Sequence, residues 1–144
     1  MRDATRTEGG VVQADERIPR ALLLLRLSVF LVMFMWTLDK FLSPGHAAQV
    51  YTYFYRVGGL GNGVFYAIGA GELLLLLAFL VGYQKRITYG AVLALHAMST
   101  LAAFRQYLAP LSNLLFFAAW PMLAACFALY TLRDLDTRWV MGRE

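Results

Sequence analysis

One glutamate, Glu72, stands at the head of five consecutive leucines in the stretch GAGELLLLLAFLVG. A carboxylate costs several kcal/mol to strip of water unless it is protonated or paired. Three interpretations of Glu72 follow: an ion pair with Lys40 or Arg26, a protonated carboxyl hydrogen-bonded to a neighbour, or a proton-handling site. The residue type and its surroundings leave all three open.

A histidine in an apolar segment, His96 in LALHAMST, is the next residue that could do chemistry. Haem in a helical bundle generally takes a second axial ligand and copper takes a cluster of ligands, whereas the other histidine, His46, lies outside the apolar segments. The sequence therefore predicts no metal site and no bound cofactor. It favours a histidine that hydrogen-bonds between helices, with a histidine near a quinone as the next interpretation.

The motifs of classical catalysis are absent from the sequence. It contains no GxGxxG, P-loop, HExxH or GxSxG pattern, and no helix offers paired carboxylates. Its single cysteine, Cys126, cannot run a two-thiol redox cycle alone. We therefore assign no catalytic residue and do not expect catalysis by this chain on its own.

Composition indicates which solvent surrounds these residues. The 144-residue chain is 60% hydrophobic and 15% charged, which exceeds what a small soluble domain needs for its core. A membrane-spanning helix takes about 20 mostly apolar residues, and four segments qualify. We expect an all-α fold, a four-helix transmembrane bundle, over residues 20–133. Its parts are helices at about 20–41, 64–83, 87–108 and 111–132, a flexible cytoplasmic tail, 1–19, and a second cytoplasmic tail, 134–144.

Basic residues predict the orientation of this bundle. With both termini inside, the cytoplasmic side carries nine Lys and Arg residues and the outer side only Lys40, Arg56 and Arg105. Cytoplasmic loops of membrane proteins carry such an excess, so we expect both termini in the cytoplasm, in a membrane of the bacterial inner-membrane type. The same asymmetry accounts for the net charge of +4, which indicates contact with anionic membrane lipids and not with nucleic acid.

Depth can be counted along each helix at about 1.5 Å per residue. Glu72 then lies roughly 12 Å and His96 roughly 18 Å below the outer boundary, near the middle of the bilayer. Asp39, Lys40 and Arg105 lie within about one turn of that boundary. We expect a polar set that runs from the outer surface to mid-membrane.

Helical periodicity of about 100° per residue indicates which side chains face inward. We expect an inward face on helix one, a polar inward face on helix three that excludes Arg105, and a small-residue stripe on helix two that allows close helix contact. The face on helix one consists of Arg26, Met33, Trp36, Thr37 and Lys40. The face on helix three consists of Tyr89, His96, Ser99, Thr100, Ala103 and Tyr107. The stripe on helix two consists of Ala67, Gly71, Leu74 and Ala78. Glu72 flanks that stripe, so it should face the interior and pair with Lys40, or otherwise with Arg26 or His96.

Two segments interrupt the regular pattern. Pro121 in the last apolar segment removes a backbone donor and predicts a packing kink. The connection over residues 42–63 carries the aromatic cluster Tyr51, Tyr53, Phe54 and Tyr55 before a glycine-rich turn. Aromatic side chains suit the headgroup level, so we expect a short interfacial helix or re-entrant segment that anchors the chain, or alternatively forms a lid over the polar set.

These motifs resemble the DoxX-like family of small four-helix membrane proteins, relatives of the methylamine-utilisation protein MauE and of the small subunit of thiosulfate:quinone oxidoreductase. The resemblance covers about residues 20–133. It rests on Arg26, on Lys40 in WTLDKFLSP, on Glu72 with its leucine run, on the exit GYQKR and on the histidine of LALHAMST. Thr37 stands where family members often carry glycine. The resemblance implies a four-helix bundle and association with redox systems, but not one particular reaction.

Two classes of function remain open. In the first, the chain is a non-catalytic accessory subunit or assembly factor that binds another membrane protein or complex. In the second, it is a quinone-reactive subunit with a pocket in the outer half of the bundle. Candidate binding residues are Trp36, Lys40, Tyr51, Tyr53, Tyr55, Glu72, His96 and Tyr107, and Arg26, Asp39, Arg105 and Pro121 are assigned structural roles.

Overall fold

The computed structural model is mostly helical and describes part of the chain, namely residues 4–141 for the backbone and 16–141 for the side chains. Helix accounts for 83% of the structure, without a strand in that part. The α-helices are α1 (Ala4–Leu42), α2 (Pro44–Val50), α3 (Asn62–Leu80), α4 (Lys85–Ala102), α5 (Phe104–Tyr107) and α6 (Ala119–Thr131). A π-helix, Tyr51–Tyr55, follows α2, and 3-10 helices cover Pro110–Ser112, Leu114–Ala118 and Arg133–Leu135.

Three helical stretches are long and apolar enough to cross a membrane: Glu16–Leu42, Asn62–Leu80 and Leu114–Thr131. The all-helical fold and the membrane-spanning character predicted from the sequence are thereby confirmed at this level. Helix α4 is more polar, because Lys85 and Arg86 occupy its first turn and His96 lies near its middle. A fourth crossing by α4 stays a prediction.

The core lies where α1, α3, α4 and α6 meet. Each contributes fully buried side chains that pack together: Leu22, Val29, Leu76, Phe79, Tyr89, Val92, Cys126 and Leu129. Many large apolar side chains of the same helices point outward instead, among them Leu24, Leu31, Leu74 and Phe127. A helix that is apolar on both its buried and its exposed sides suits a surrounding of lipid.

Helix boundaries differ from the predicted ones at three places. Helix α1 begins at Ala4, although the sequence predicted a flexible tail up to residue 19. The third predicted helix ends early, because α4 stops at Ala102 and the single turn α5 follows. The last α-helix starts only at Ala119, which puts Pro121 in its first turn, where a missing N–H leaves no helical hydrogen bond unmade. The irregularity predicted at Pro121 is therefore a 3-10 helix that ends before it.

The molecule has two ends. The connection end holds α2, the π-helix and the chain between α4 and α6. The tail end holds the turn between α3 and α4 and residues 133–141, whose backbone is tied to the core by the N–H of Met141, which donates to the carbonyl of Val81 at 2.7 Å.

Candidate functional site

Glu72 pairs with Lys40 across the contact between α3 and α1. The Lys40 Nζ lies 2.8 Å from Glu72 Oε2, and the two side chains are 9% and 21% exposed. The hydroxyl of Thr37 donates to the same carboxylate oxygen at 3.1 Å, and Nζ of Lys40 also donates to the carbonyl of Trp36 at 3.3 Å. The prediction that Glu72 faces the interior with Lys40 as its partner is confirmed. Thr37 is a second partner that the sequence analysis placed on the correct face without assigning it this bond.

A glycine that the predicted stripe omitted brings α1 and α3 together. A Cβ added at Gly69 would lie 2.8 Å from Phe41 Cε2 and 3.3 Å from Lys40 Cβ, whereas one at Gly71 would meet nothing within 4 Å. Ala67 and Leu74 are exposed as well. The predicted stripe was therefore wrong: the buried face of α3 runs through Phe65, Gly69, Leu76 and Phe79, on nearly the opposite side of the helix.

The aromatic connection covers the Lys40–Glu72 pair. The Tyr51 ring packs edge-on against buried Phe65 with centroids 5.3 Å apart, and Lys40 Nζ lies 6.0 Å from the centroid of the Tyr51 ring. Tyr55 lies beside Tyr51 at 5.2 Å between centroids. The predicted short helix is thus present as α2 and the π-helix, and its half-buried tyrosines lie over the polar pair.

The position of Tyr51 and Tyr55 raises the pKa of both phenols. Burial, followed by the Glu72 carboxylate and the neighbouring Tyr55, raises the pKa of Tyr51 from 10.0 to about 12. Burial also raises the pKa of Tyr55. A hydrogen bond with the Ser99 side chain lowers this pKa, and the Glu72 carboxylate raises it further. Both phenols therefore keep their protons over the physiological pH range and can act as hydrogen-bond donors beside the carboxylate.

His96 makes its contacts with α6 and not with Glu72. Its Nε2 lies 3.1 Å from the carbonyl oxygen of Ala119 and 3.4 Å from the Thr100 hydroxyl. A carbonyl only accepts, so Nε2 carries the proton in this contact. Nearby, the hydroxyl of Tyr107 donates to the carbonyl of Thr100 at 3.1 Å. This geometry is that of a histidine hydrogen-bonding between helices.

The remaining predicted residues lie apart from this cluster. Trp36, which the sequence placed on the inward face of helix one, is instead 54% exposed. Tyr53 is exposed and accepts a hydrogen bond from Gln106 Nε2 at 3.1 Å. Asp39 pairs with His46 at 2.8 Å on the surface of the connection end. Arg105 is exposed, as its predicted orientation away from His96 requires.

Two surface grooves lie outside the polar cluster. One, of about 640 Å³, is formed by α2 and the π-helix and includes His46, Gln49 and Arg56. The other, of about 410 Å³, is apolar and lies between Leu93 of α4 and Trp120 and Phe127 of α6. Neither groove is lined by Lys40, Glu72, His96 or Tyr107. The residues proposed for a common pocket therefore do not converge on either one.

A second polar cluster, at the tail end, was not foreseen. Arg26 Nη1 lies 3.2 Å from Asp136 Oδ2, and both side chains are 0% exposed. The hydroxyl of Tyr89 donates to the same Asp136 oxygen at 2.7 Å and accepts from Arg26 Nη1 at 3.0 Å. Arg26 also donates to the carbonyls of Arg138 and Trp139. This Arg26–Tyr89–Asp136 clasp fastens residues 133–141 to the core.

Two nearby residues, Gly82 and Lys85, allow the clasp to form. Gly82 adopts a left-handed φ of +62°, and a Cβ there would lie 2.6 Å from Val140 Cγ1 and 2.8 Å from Arg26 Nη1. Lys85 is buried and donates to the carbonyls of Arg133 and Asp136 at 3.0 and 3.3 Å. Asp136 was missed because RDLDTRWV reads as an ordinary charged tail. The available signal was an unpaired Arg26 deep in an apolar helix, which requires an acid from elsewhere in the chain.

Comparison with known protein families, curated proteins and solved structures finds no match to this chain. Among the side chains of residues 16–141, no three His, Cys, Asp or Glu residues come together as a metal-binding group. The site is therefore defined by its own geometry. That geometry is a carboxylate engaged by a lysine and a threonine, a histidine engaged by a backbone carbonyl, and an aromatic cover.

Proposed function

We propose that this chain is a non-catalytic membrane protein that acts as an accessory subunit or assembly factor of a larger membrane complex. The single observation that carries the proposal is the engagement of Glu72, whose Oε2 contacts both Lys40 Nζ and Thr37 Oγ1. A carboxylate held by two partners from the adjacent helix stabilises the contact between α1 and α3 and is poorly available to a substrate.

The connection end supplies the surface for a partner. Tyr53 and Phe54 pack edge-on with centroids 4.8 Å apart beside the groove that contains Arg56. Aromatic residues and arginine are enriched among the residues that dominate binding energy at protein interfaces. We therefore expect a partner membrane protein to bind along α2 and the π-helix.

The resemblance to the DoxX-like family supports a redox complex as the setting. On this proposal α1, α3, α4 and α6 form a four-helix transmembrane bundle in a bacterial-type inner membrane, with both termini in the cytoplasm. Reporter fusions after Glu144 and near Arg56 test the topology. A C-terminal reporter that is active outside the cytoplasm would contradict it.

Native purification tests the function itself. The chain, tagged at its C-terminus and extracted in lipid nanodiscs, should co-purify with a membrane protein identified by mass spectrometry. The variant Tyr53→Ala should weaken this association, and Leu24→Ala, which changes an exposed side chain of α1 outside the connection end, serves as its control. Recovery of the same free chain under all extraction conditions would contradict the proposal.

One observation favours a quinone-reactive subunit as a second candidate. The Glu72 side chain keeps 21% of its surface exposed beneath Tyr51, whose pKa is raised to about 12 by burial and by Glu72. A protonated phenol beside a carboxylate could exchange hydrogen bonds with a quinone oxygen. Quinol turnover by the purified chain that is abolished by Glu72→Gln would support this candidate over the first.

A further inference from the structure

The clasp fixes an unusual surface at the tail end. Asp136 is completely buried, Lys85 holds the carbonyls of Arg133 and Asp136, and Val140 packs on Gly82. These contacts hold residues 133–141 against the core, yet the largest apolar side chains of the segment face outward. Leu135, Trp139 and Met141 are all exposed, and Trp139 is 76% exposed.

The backbone at Trp139 shows that this outward position is imposed. Its φ is +51°, a left-handed conformation that costs free energy in any residue other than glycine. The strain is held by the bonds on either side, from Arg26 to the carbonyls of Arg138 and Trp139 and from Met141 N to Val81 O. Such strain persists only where the surrounding contacts determine it, and here it directs an indole away from the protein.

The segment also lies at the level where the apolar helices end. It begins just after Thr131, the last residue of one candidate span, and is bonded to Val81, which follows Leu80 at the end of another. Arg86 is exposed and Arg133 and Arg138 are half-buried around it, with Asp134 as an exposed acid. Indole rings favour the headgroup level, and arginines there attract anionic lipid.

We propose that residues 133–141 form an interfacial anchor that docks into the headgroup layer of anionic lipid, with Trp139 inserted and the Arg26–Tyr89–Asp136 clasp holding the segment in place. The anchor depends on the membrane location of the chain but not on its role as an accessory subunit. Charge and position favour lipid over a protein partner, because the exposed apolar side chains continue the apolar surface of the spans and are bordered mainly by cations.

Tryptophan fluorescence of the full chain in vesicles tests this proposal. A variant carrying Trp36→Phe and Trp120→Phe leaves Trp139 as the only tryptophan. In vesicles that contain phosphatidylglycerol, lipids brominated near the headgroup should quench Trp139 severalfold more than aqueous iodide does. Phosphatidylcholine vesicles should show a smaller difference. Adding Asp136→Asn should release the segment and reverse the preference towards iodide.

Controls keep the outcome decisive. If Asp136→Asn lowers the helical circular dichroism signal, Tyr89→Phe replaces it, since it removes the two hydrogen bonds of the Tyr89 hydroxyl and keeps the ring. Iodide quenching that is as strong as in the released variant would overturn the anchor. Shielding from both iodide and brominated lipid in native membranes, but not in vesicles, would also overturn it, because a protein would then cover Trp139.

Discussion

Arg26 and Asp136 form an ion pair from which water is excluded, between a helix near the start of the chain and a segment near its end. Both charges are 0% exposed, and two of their atoms, Arg26 Nε and Asp136 Oδ1, have no partner within the described part of the protein. A pair of this kind is costly to form but far costlier to break, because the remaining charge is left buried and unpaired.

Asp136→Asn should therefore lower the free energy of unfolding by about 3–5 kcal/mol. The matched control is Asp134→Asn, two residues earlier on an exposed side chain, which should change it by no more than about 0.5 kcal/mol. Thermal unfolding in a mild detergent, followed by circular dichroism, compares the two. Equal effects would show that the clasp contributes nothing to stability.

Gly69 and Gly71 should respond oppositely to the same substitution. Gly69→Ala forces a methyl group against Phe41 and Lys40 and should cost about 1–3 kcal/mol as the two helices separate. Gly71→Ala enters open space and should be neutral or stabilising by up to about 1 kcal/mol, because alanine favours helix. Unfolding curves of both variants measure the difference, and a more damaging Gly71→Ala would refute the assigned contact.

The sequence predicts the buried positions of some of these residues but not of others. Periodicity placed Thr37, Lys40 and Thr100 on buried faces, because helical spacing determines azimuth over short distances. It failed for Gly69, which lies on nearly the opposite side of α3 from the predicted stripe, since the leucine-rich α3 is apolar on all sides and its periodicity selects no face. Asp136 could not be placed at all, because its burial depends on a tertiary contact with Arg26 that no local pattern encodes.

Two substitutions distinguish the hydrogen bond of His96 from its packing. His96→Gln keeps an N–H donor for the carbonyl of Ala119, whereas His96→Leu keeps the bulk but leaves that carbonyl unsatisfied. Leucine should cost about 1–3 kcal/mol and glutamine clearly less. Chemical denaturation of the two variants measures this. Equal losses would indicate that His96 acts through packing alone.

Alkaline pH should loosen the aromatic cover. Because burial, Glu72 and Tyr55 raise the pKa of Tyr51 to about 12, the folded state keeps a proton that the unfolded state loses above its ordinary value of 10.0. The contribution of Tyr51 to folding stability is complete below pH 10 and is lost as the pH rises towards 12. Tyr51→Phe should flatten this decline in melting temperature, and the exposed Tyr53→Phe should leave it as in the wild type.

The central claim is that the Lys40–Glu72 pair is structural and not reactive. The most direct test compares Lys40→Met, Glu72→Leu and the double variant by co-purification of the native partner complex from membranes. Each single variant leaves one charge without its partner and should reduce recovery of the complex. Because Glu72 is 21% exposed, the free-energy cost should stay below that of breaking a fully buried pair, which is about 3–5 kcal/mol. The double variant replaces the whole pair with apolar side chains and should restore recovery and function. A double variant that accumulates normally and binds its partner, but has lost function, would contradict the claim and show that the pair is reactive.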